Sequence, residues 1–231
     1  MRALSELIRQ ACAERPILFP SELPRINPTL YDAGMDLRQR LEGLPETFTR
    51  AEAISAGVST RTLYRWRDAR LVYEISRGIF RQSDSPETAY LDVLAACKRA
   101  PRAVVCLISA LALHELTDEI PVAVHLAVPR GVALPKIDYP SVKVSRFHAQ
   151  TFTLGIEQFT VSEGERVPTY NATRSVVDVM RMRRQIGDTI AYAALHAYLA
   201  HYGSPAQLSR YAATLGVAGP IRQALQVVLS T

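Results

Sequence analysis

Between Phe48 and Arg81 the apolar positions recur first at helical spacing and then in two short strand-like runs, an order that predicts helix, turn, helix and hairpin. Thr49, with Glu52 three residues on, makes a capping-box signature ahead of Ala53, Ile54 and Ala56. Gly57 supplies the stop, since glycine tolerates the left-handed backbone in which helices commonly end. Ser59 or Thr60 caps a second helix to about Ala69, where Leu63, Trp66 and Arg70 fall three and four residues apart, so Leu63 and Trp66 face inward. Leu71, Val72, Tyr73, Glu74 and Ile75 then have strand composition, Ser76-Arg77-Gly78 a tight turn, and Ile79-Phe80-Arg81 the return.

Upstream, Leu4, Leu7, Ile8 and Ala11 form the apolar stripe of a short first helix, followed by a proline-bearing connector over residues 16–28. A helix over about residues 30–41 is expected to bring Leu37 and Leu41 onto Leu63 and Trp66, and Gly43 and Pro45 stop it. Met35 offers an alternative translation start that would make the first 34 residues optional. After the hairpin, the polar run Gln82-Ser83-Asp84-Ser85-Pro86 breaks the periodicity and marks an interdomain boundary. Beyond it come a helix over about residues 87–98, a buried strand at 103–107 and a helix capped by Ser109 to Leu116. Strands at 122–128, 142–146 and 156–161 predict a small mixed or antiparallel sheet, and helices near 173–184, 188–201, 205–214 and 220–229 complete the chain. The fold class expected is α+β: an N-terminal extension (1–34), a winged helix-turn-helix (35–82) and a mixed α/β domain with a helical C-terminal tail (87–231).

The 231 residues, 48% of them hydrophobic, suffice for a core in each domain. The net charge of +5 changes the picture more. Residues 48–81 hold seven arginines against Glu52, Asp68 and Glu74, a net +4 concentrated in one motif. Only 3 of the 27 basic residues are lysine; this suits phosphate and base recognition and equally fits a genome rich in G and C. The outer face of the second helix carries Thr60, Arg61, Tyr64, Arg65 and Asp68, so two guanidinium groups stand one turn apart beside hydroxyl groups. Arginine can bind guanine O6 and N7 bidentately or clamp a phosphate. The DNA-binding set expected is therefore Thr60, Arg61, Tyr64, Arg65, Arg67, Arg77 at the wing tip and Arg81, with double-stranded DNA as the partner.

Other chemistry is scarce. Cys12, Cys97 and Cys106 are odd in number and widely spaced, which argues against a disulfide framework or zinc ribbon and for a reducing, cytoplasmic setting. The first 16 residues lack the apolar stretch of a signal peptide, and no segment is long and apolar enough for a membrane span. His114-Glu115 has no second histidine four residues after the first, and His196 and His201 are five apart, so neither predicts a metal site. Asp118, Glu119 and Glu157 lack the neighbouring Glu-x-Lys element of a nuclease, no phosphate loop occurs, and Ser109 has no Gly-x-Ser-x-Gly elbow. Neither catalysis nor a cofactor is expected. In residues 166–178 an extended, Pro-bearing piece enters a helix that places Arg174 and Asp178 at i and i+4, and Arg181, Arg183 and Arg184 cluster near the helix C-terminus. This reads either as a solvated helix end or as an electropositive contact surface for a protein or nucleic-acid partner.

Three segments together carry a resemblance: the hairpin run ending Ser76-Arg77-Gly78-Ile79-Phe80-Arg81, the stretch VCLISALALHELT over residues 105–117, and VPTYNATRSVVD over residues 167–178. In this order the chain resembles the AbiEi family of bacterial antitoxins over about residues 35–216. Arg70 stands where such a domain often has glycine after its recognition helix, Phe80 where the wing often has tyrosine, and the first 34 residues have no counterpart. The resemblance implies a winged helix-turn-helix joined to an α/β domain, autorepression through repeats in the operon's promoter by a monomer or weak dimer binding cooperatively, and neutralisation of a nucleotidyltransferase-type toxin through the C-terminal domain, with or without direct contact. It makes Arg174, Asp178, Arg181, Arg183 and Arg184 candidates for the neutralising surface. A stand-alone winged-helix regulator whose second domain senses a ligand, and a nuclease, are the alternative classes.

Overall fold

The computed structural model describes residues 39–133 and 136–229. The expected first helix, the connector, Cys12, Leu37 and most of the helix expected over 30–41 lie outside the described residues. By contacts the chain divides into Met1–Leu41 and Glu42–Thr231. Within the second unit the fold is mixed α+β with two sheets.

The first sheet joins β1 (Thr47–Thr49), β2 (Val72–Ser76) and β3 (Ile79–Gln82) in the antiparallel order β1-β3-β2. Between β1 and β2 run two helices, α1 (Arg50–Ser55) and α2 (Thr60–Asp68). The sequence pattern does not signal strand β1; Phe48 faces Phe80 across the ladder, and their rings stack with centroids 6.1 Å apart.

The second sheet follows α3 (Leu91–Arg99) and contains β4 (Val104–Val105), β5 (Val124–Pro129), β6 (Val142–Phe147), β7 (Ile156–Ser162) and β8 (Glu165–Tyr170) in the order β6-β5-β4-β8-β7. It is mixed: β5 with β6 and β4 with β8 are parallel, the remaining pairs antiparallel. Helices α4 (Leu107–Leu113) and α5 (Ala149–Phe152) lie within this region, and α6 (Ala172–Arg181), α7 (Arg183–Ile186), α8 (Asp188–His201), α9 (Pro205–Thr214) and α10 (Ala218–Leu229) form the tail. The strand period of two divides the core. Val104 and Ala127 join a cluster with Val176, Val177, Leu195 and Leu208 of the tail, whereas Val105, Leu126 and Val128 join one with Leu94 and Cys97 of α3.

Two expectations require correction. Ser109 lies inside α4 rather than capping it; its hydroxyl accepts the His125 amide at 2.9 Å and ties the helix to β5. The polar run 82–86 begins in β3 at Gln82 and turns over 83–85, and contacts place it inside the unit Glu42–Thr231 rather than at the edge of one. Ile75 and Ile79 of the hairpin cluster with Ala95 and Leu91 of α3, and the Ser76 hydroxyl donates to the Tyr139 carbonyl at 2.5 Å.

Candidate nucleic-acid interface

Local hydrogen bonds fix α1, α2 and the turn between them. The Thr49 hydroxyl accepts the Glu52 amide at 3.0 Å, and the Glu52 carboxylate accepts the Thr49 amide at 2.5 Å, closing the capping box. Gly57 has φ +81, and its neighbour Val58 donates its amide to Ala53 O at 2.9 Å. Of the two candidate caps for α2, Ser59 takes the role: its hydroxyl accepts the Thr62 amide at 3.0 Å. Ala53, Val58, Leu63 and Trp66 are buried, and they hold the two helices together. Burial leaves the Trp66 indole N–H with no acceptor among the described residues.

This packing exposes the side of α2 that carries Arg61, Tyr64, Arg65, Arg67 and Asp68, while Thr60 is half-buried. Arg61 and Arg65 make no side-chain hydrogen bond or ion pair among the described residues, so their guanidinium donors are unengaged. Arg67 differs: it pairs with Asp68 at 3.0 Å and lies 4.7 Å over the Tyr64 ring. Beyond α2, Arg70 takes φ +58, the left-handed conformation for which glycine is the unstrained choice.

In the hairpin, Gly78 at φ +76 makes the turn; its amide donates to the Glu74 carboxylate at 2.7 Å and its carbonyl accepts the Arg50 amide at 2.8 Å. Arg77 is exposed at this tip.

Arg81 is a correction to the expected set. It is 1% exposed, and its guanidinium donates to Thr47 Oγ1 at 2.7 Å, the Pro86 carbonyl at 2.7 Å, Ser162 Oγ at 3.3 Å and the buried carboxylate of Glu165, with Glu46 at 3.4 Å. A guanidinium enclosed in this way joins the two sheets and cannot reach a nucleic acid. Burial raises the Glu46 carboxyl above its ordinary value, with Glu165 adding to the rise and Arg81 opposing it.

Arg174 and Asp178 also lie inside the molecule rather than on a contact surface, each 0% exposed. Arg174 donates to Asp178 Oδ2 at 2.7 Å, Thr151 O at 2.8 Å and Leu154 O at 3.0 Å, and it lies 4.6 Å over the Tyr170 ring. The pair therefore fastens α6 to the chain around α5. Burial pushes the Asp178 carboxyl up, opposed by Arg174 and Arg181. Arg181 reaches Asp178 at 2.9 Å and Arg183 reaches Asp188 at 3.3 Å, both part-buried; of these five residues Arg184 alone is exposed.

Elsewhere, Cys97 and Cys106 are buried and free, with burial holding the Cys97 thiol up at about 12. Among the described residues no group of three or more His, Cys, Asp or Glu side chains is placed to hold a metal, and no helix is long and apolar enough to cross a membrane. A cleft of about 710 Å³ that the sequence did not signal opens beside α3 and α4, lined by Tyr90, Asp92, Asp118, Glu119, Ile120 and Tyr139 among others.

No protein-family model and no curated protein matches the chain. Among solved structures, that of RV2827C from Mycobacterium tuberculosis is similar at 14% identity and a TM-score of 0.55, over 91% of this chain and 84% of that one. At that identity the likeness is one of fold: the chain is similar in fold to the mycobacterial protein over most of its length.

Proposed function

We propose that the chain is a DNA-binding antitoxin: a winged helix-turn-helix repressor of its own operon that also counteracts a nucleotidyltransferase-type toxin. One observation carries the DNA-binding part. Arg61 and Arg65 stand exposed and unengaged on one side of α2 while Leu63 and Trp66 anchor the other, and a hairpin with Arg77 at its tip follows. That is the arrangement a major-groove reader needs: a helix fixed from behind with two bidentate donors one turn apart. Arg61, Tyr64 and Arg65 read base edges, Arg77 and Arg67 contact phosphate, and Thr60 supports the helix start. Arg81 has no part in the contact.

The antitoxin part rests on the resemblance of the hairpin run and of segments 105–117 and 167–178 to the AbiEi family. Arg174 and Asp178 are excluded from any neutralising surface by their burial, which leaves the end of α6 and α7 around Arg181, Arg183 and Arg184. Gel shifts with the DNA upstream of the gene test the first part, and co-expression with the adjacent toxin gene beside a promoter reporter tests the second. DNA binding without protection would remove the antitoxin reading.

The cleft of about 710 Å³ favours a second reading, a stand-alone regulator that senses a ligand. Its lining combines apolar residues with Asp92, Asp118, Glu119 and Asp138, which suits a small amphipathic cation. A neighbouring reading frame of the nucleotidyltransferase class supports the antitoxin, and its absence supports the sensor.

A further inference from the structure

A second basic feature lies off the reading helix. Where the wing, the start of α1 and the end of α3 meet, a cleft of about 500 Å³ is lined by Thr49, Arg50, Arg77, Gly78, Lys98 and Arg99 among others. Four cations from three elements converge there, and two of them, Lys98 and Arg99, come from a helix that packs on the second sheet.

Their present partners decide what the cleft can hold. Lys98 Nζ lies 3.4 Å from Glu52 Oε1, an acid whose other oxygen is engaged by the Thr49 amide. Arg99 donates to the Arg77 carbonyl at 3.5 Å and the Lys136 carbonyl at 3.1 Å. Carbonyls orient a guanidinium without cancelling its charge, so Arg99 is positioned and remains cationic. Arg50 and Arg77 have no ion pair among the described residues; Glu52, and Glu74 on the Gly78 amide, are the acids beside these four bases, which they leave in excess. The bond from Arg99 to the wing-tip carbonyl also fixes where Arg77 stands. Such a site suits phosphate oxygens in a row, because its cations come from three separate elements around one cleft rather than from one face of a helix that could enter a groove.

We propose that this cleft seats the sugar–phosphate backbone of the duplex read by α2, so that Lys98 and Arg99 extend the DNA contact beyond the helix-turn-helix into the second sheet's layer. This rests on the DNA-binding function proposed above. Lys98, a rotatable ammonium, exchanges Glu52 for a phosphate, and Arg99 adds its outward donors while keeping the wing in place.

The test uses the full chain with Lys98→Gln and Arg99→Gln combined, titrated by fluorescence anisotropy against the native upstream duplex and a scrambled duplex over a range of salt. Both duplexes are expected to weaken by the same factor, and the slope of log affinity against log salt should flatten by about 2, with the preference for the native sequence unchanged. Circular dichroism and Trp66 emission confirm that the variant is folded, and Lys98→Ala with Arg99→Lys, which keeps one charge, should flatten the slope by about 1. A folded double variant with the wild-type slope overturns this proposal alone. Failure of the wild-type chain to bind either duplex overturns the DNA-binding function and this proposal with it. Competition by millimolar inorganic phosphate at an unchanged slope would make the cleft a small-anion site, and that too overturns it.

Discussion

Replacing Arg81 with methionine should destabilise the whole of Glu42–Thr231 rather than weaken DNA binding as such. The side chain is 1% exposed and serves Thr47 of the first sheet, Glu165 and Ser162 of the second, and the Pro86 carbonyl of the turn between them. Methionine fills similar space but leaves the Glu165 carboxylate, 9% exposed, without its cation. Removing one partner of a buried pair costs about 3–5 kcal/mol, because the remaining charge stays desolvated. For a unit of this size that corresponds to a melting temperature lower by roughly 6–20 °C. The sign of the pH dependence is a second readout. Glu46 is already raised by burial and by Glu165, with Arg81 opposing, so loss of Arg81 raises it further. A carboxyl raised in the folded state binds protons that the unfolded chain releases, so the variant should gain stability as the pH falls through the raised value towards the ordinary 4.5. Urea unfolding followed both by far-ultraviolet circular dichroism and by the emission of Trp66, the single tryptophan, makes the measurement. Arg81→Met with Glu165→Leu should recover much of the loss, since no orphan charge is left. A cost below about 1 kcal/mol, or two separate transitions in the wild type, would refute the reasoning.

Arg61→Ala and Arg65→Ala should each weaken specific binding by roughly 1–3 kcal/mol and relax base preference, whereas Arg77→Ala should weaken native and scrambled duplexes alike; gel shifts separate the two, and wild-type affinity in all three would move the contact elsewhere. His125 is held below its ordinary value of 6.5, chiefly by burial and then by Lys143, so the folded state keeps it neutral where the unfolded chain takes a proton. Its contribution is therefore complete above pH 6.5 and is lost as the pH falls towards the lowered value; urea midpoints either side of 6.5 should show this slope in the wild type and lack it in His125→Gln. Gly155 has φ +78, and an added Cβ would lie 3.0 Å from both Arg174 Cβ and a Tyr211 ring carbon, so Gly155→Ala should cost roughly 2–5 kcal/mol; a thermal melt within about 1 kcal/mol of wild type would mean that this turn relaxes easily.

The parts of the fold legible in the sequence were those specified by neighbours in the chain. Thr49 with Glu52, Gly57, Ser59 and Gly78 act within three or four residues, so α1, α2 and the β2–β3 hairpin are legible directly. Strand β1 escaped because three residues carry little pattern, and its strand character comes from pairing with β3. Pro168 obscured β8, which was legible only as an extended entry to α6 and is instead flanked on both sides in the sheet. Arg81 and Arg174 were misplaced for a common reason: a guanidinium looks like surface until its acceptors are known, and those of Arg81 lie as far as 84 residues away. The helix ATRSVVDVMR gave no local warning: Ala172, Val176, Val177, Val179 and Met180 share one face and Arg174, Ser175, Asp178 and Arg181 the other, so it reads as half-exposed, although the structure buries both faces. Lys98 and Arg99 look like ordinary C-terminal charges of α3, and only folding sets them beside the β2–β3 hairpin.

The enclosure of Arg81 also bears on the order in which a chain of this kind matures during synthesis. The three-stranded sheet leaves the ribosome long before Ser162 and Glu165 have been made, and at translation rates of about 5–20 residues per second the wait lasts several seconds. Throughout that interval a guanidinium destined for the interior has only Thr47, Glu46 and the Pro86 carbonyl to satisfy it. The two helices between β1 and β2 thus reach their full stability only after the β7–β8 hairpin is complete, so nascent chains and products truncated before residue 165 carry Arg61 and Arg65 on a weakened scaffold.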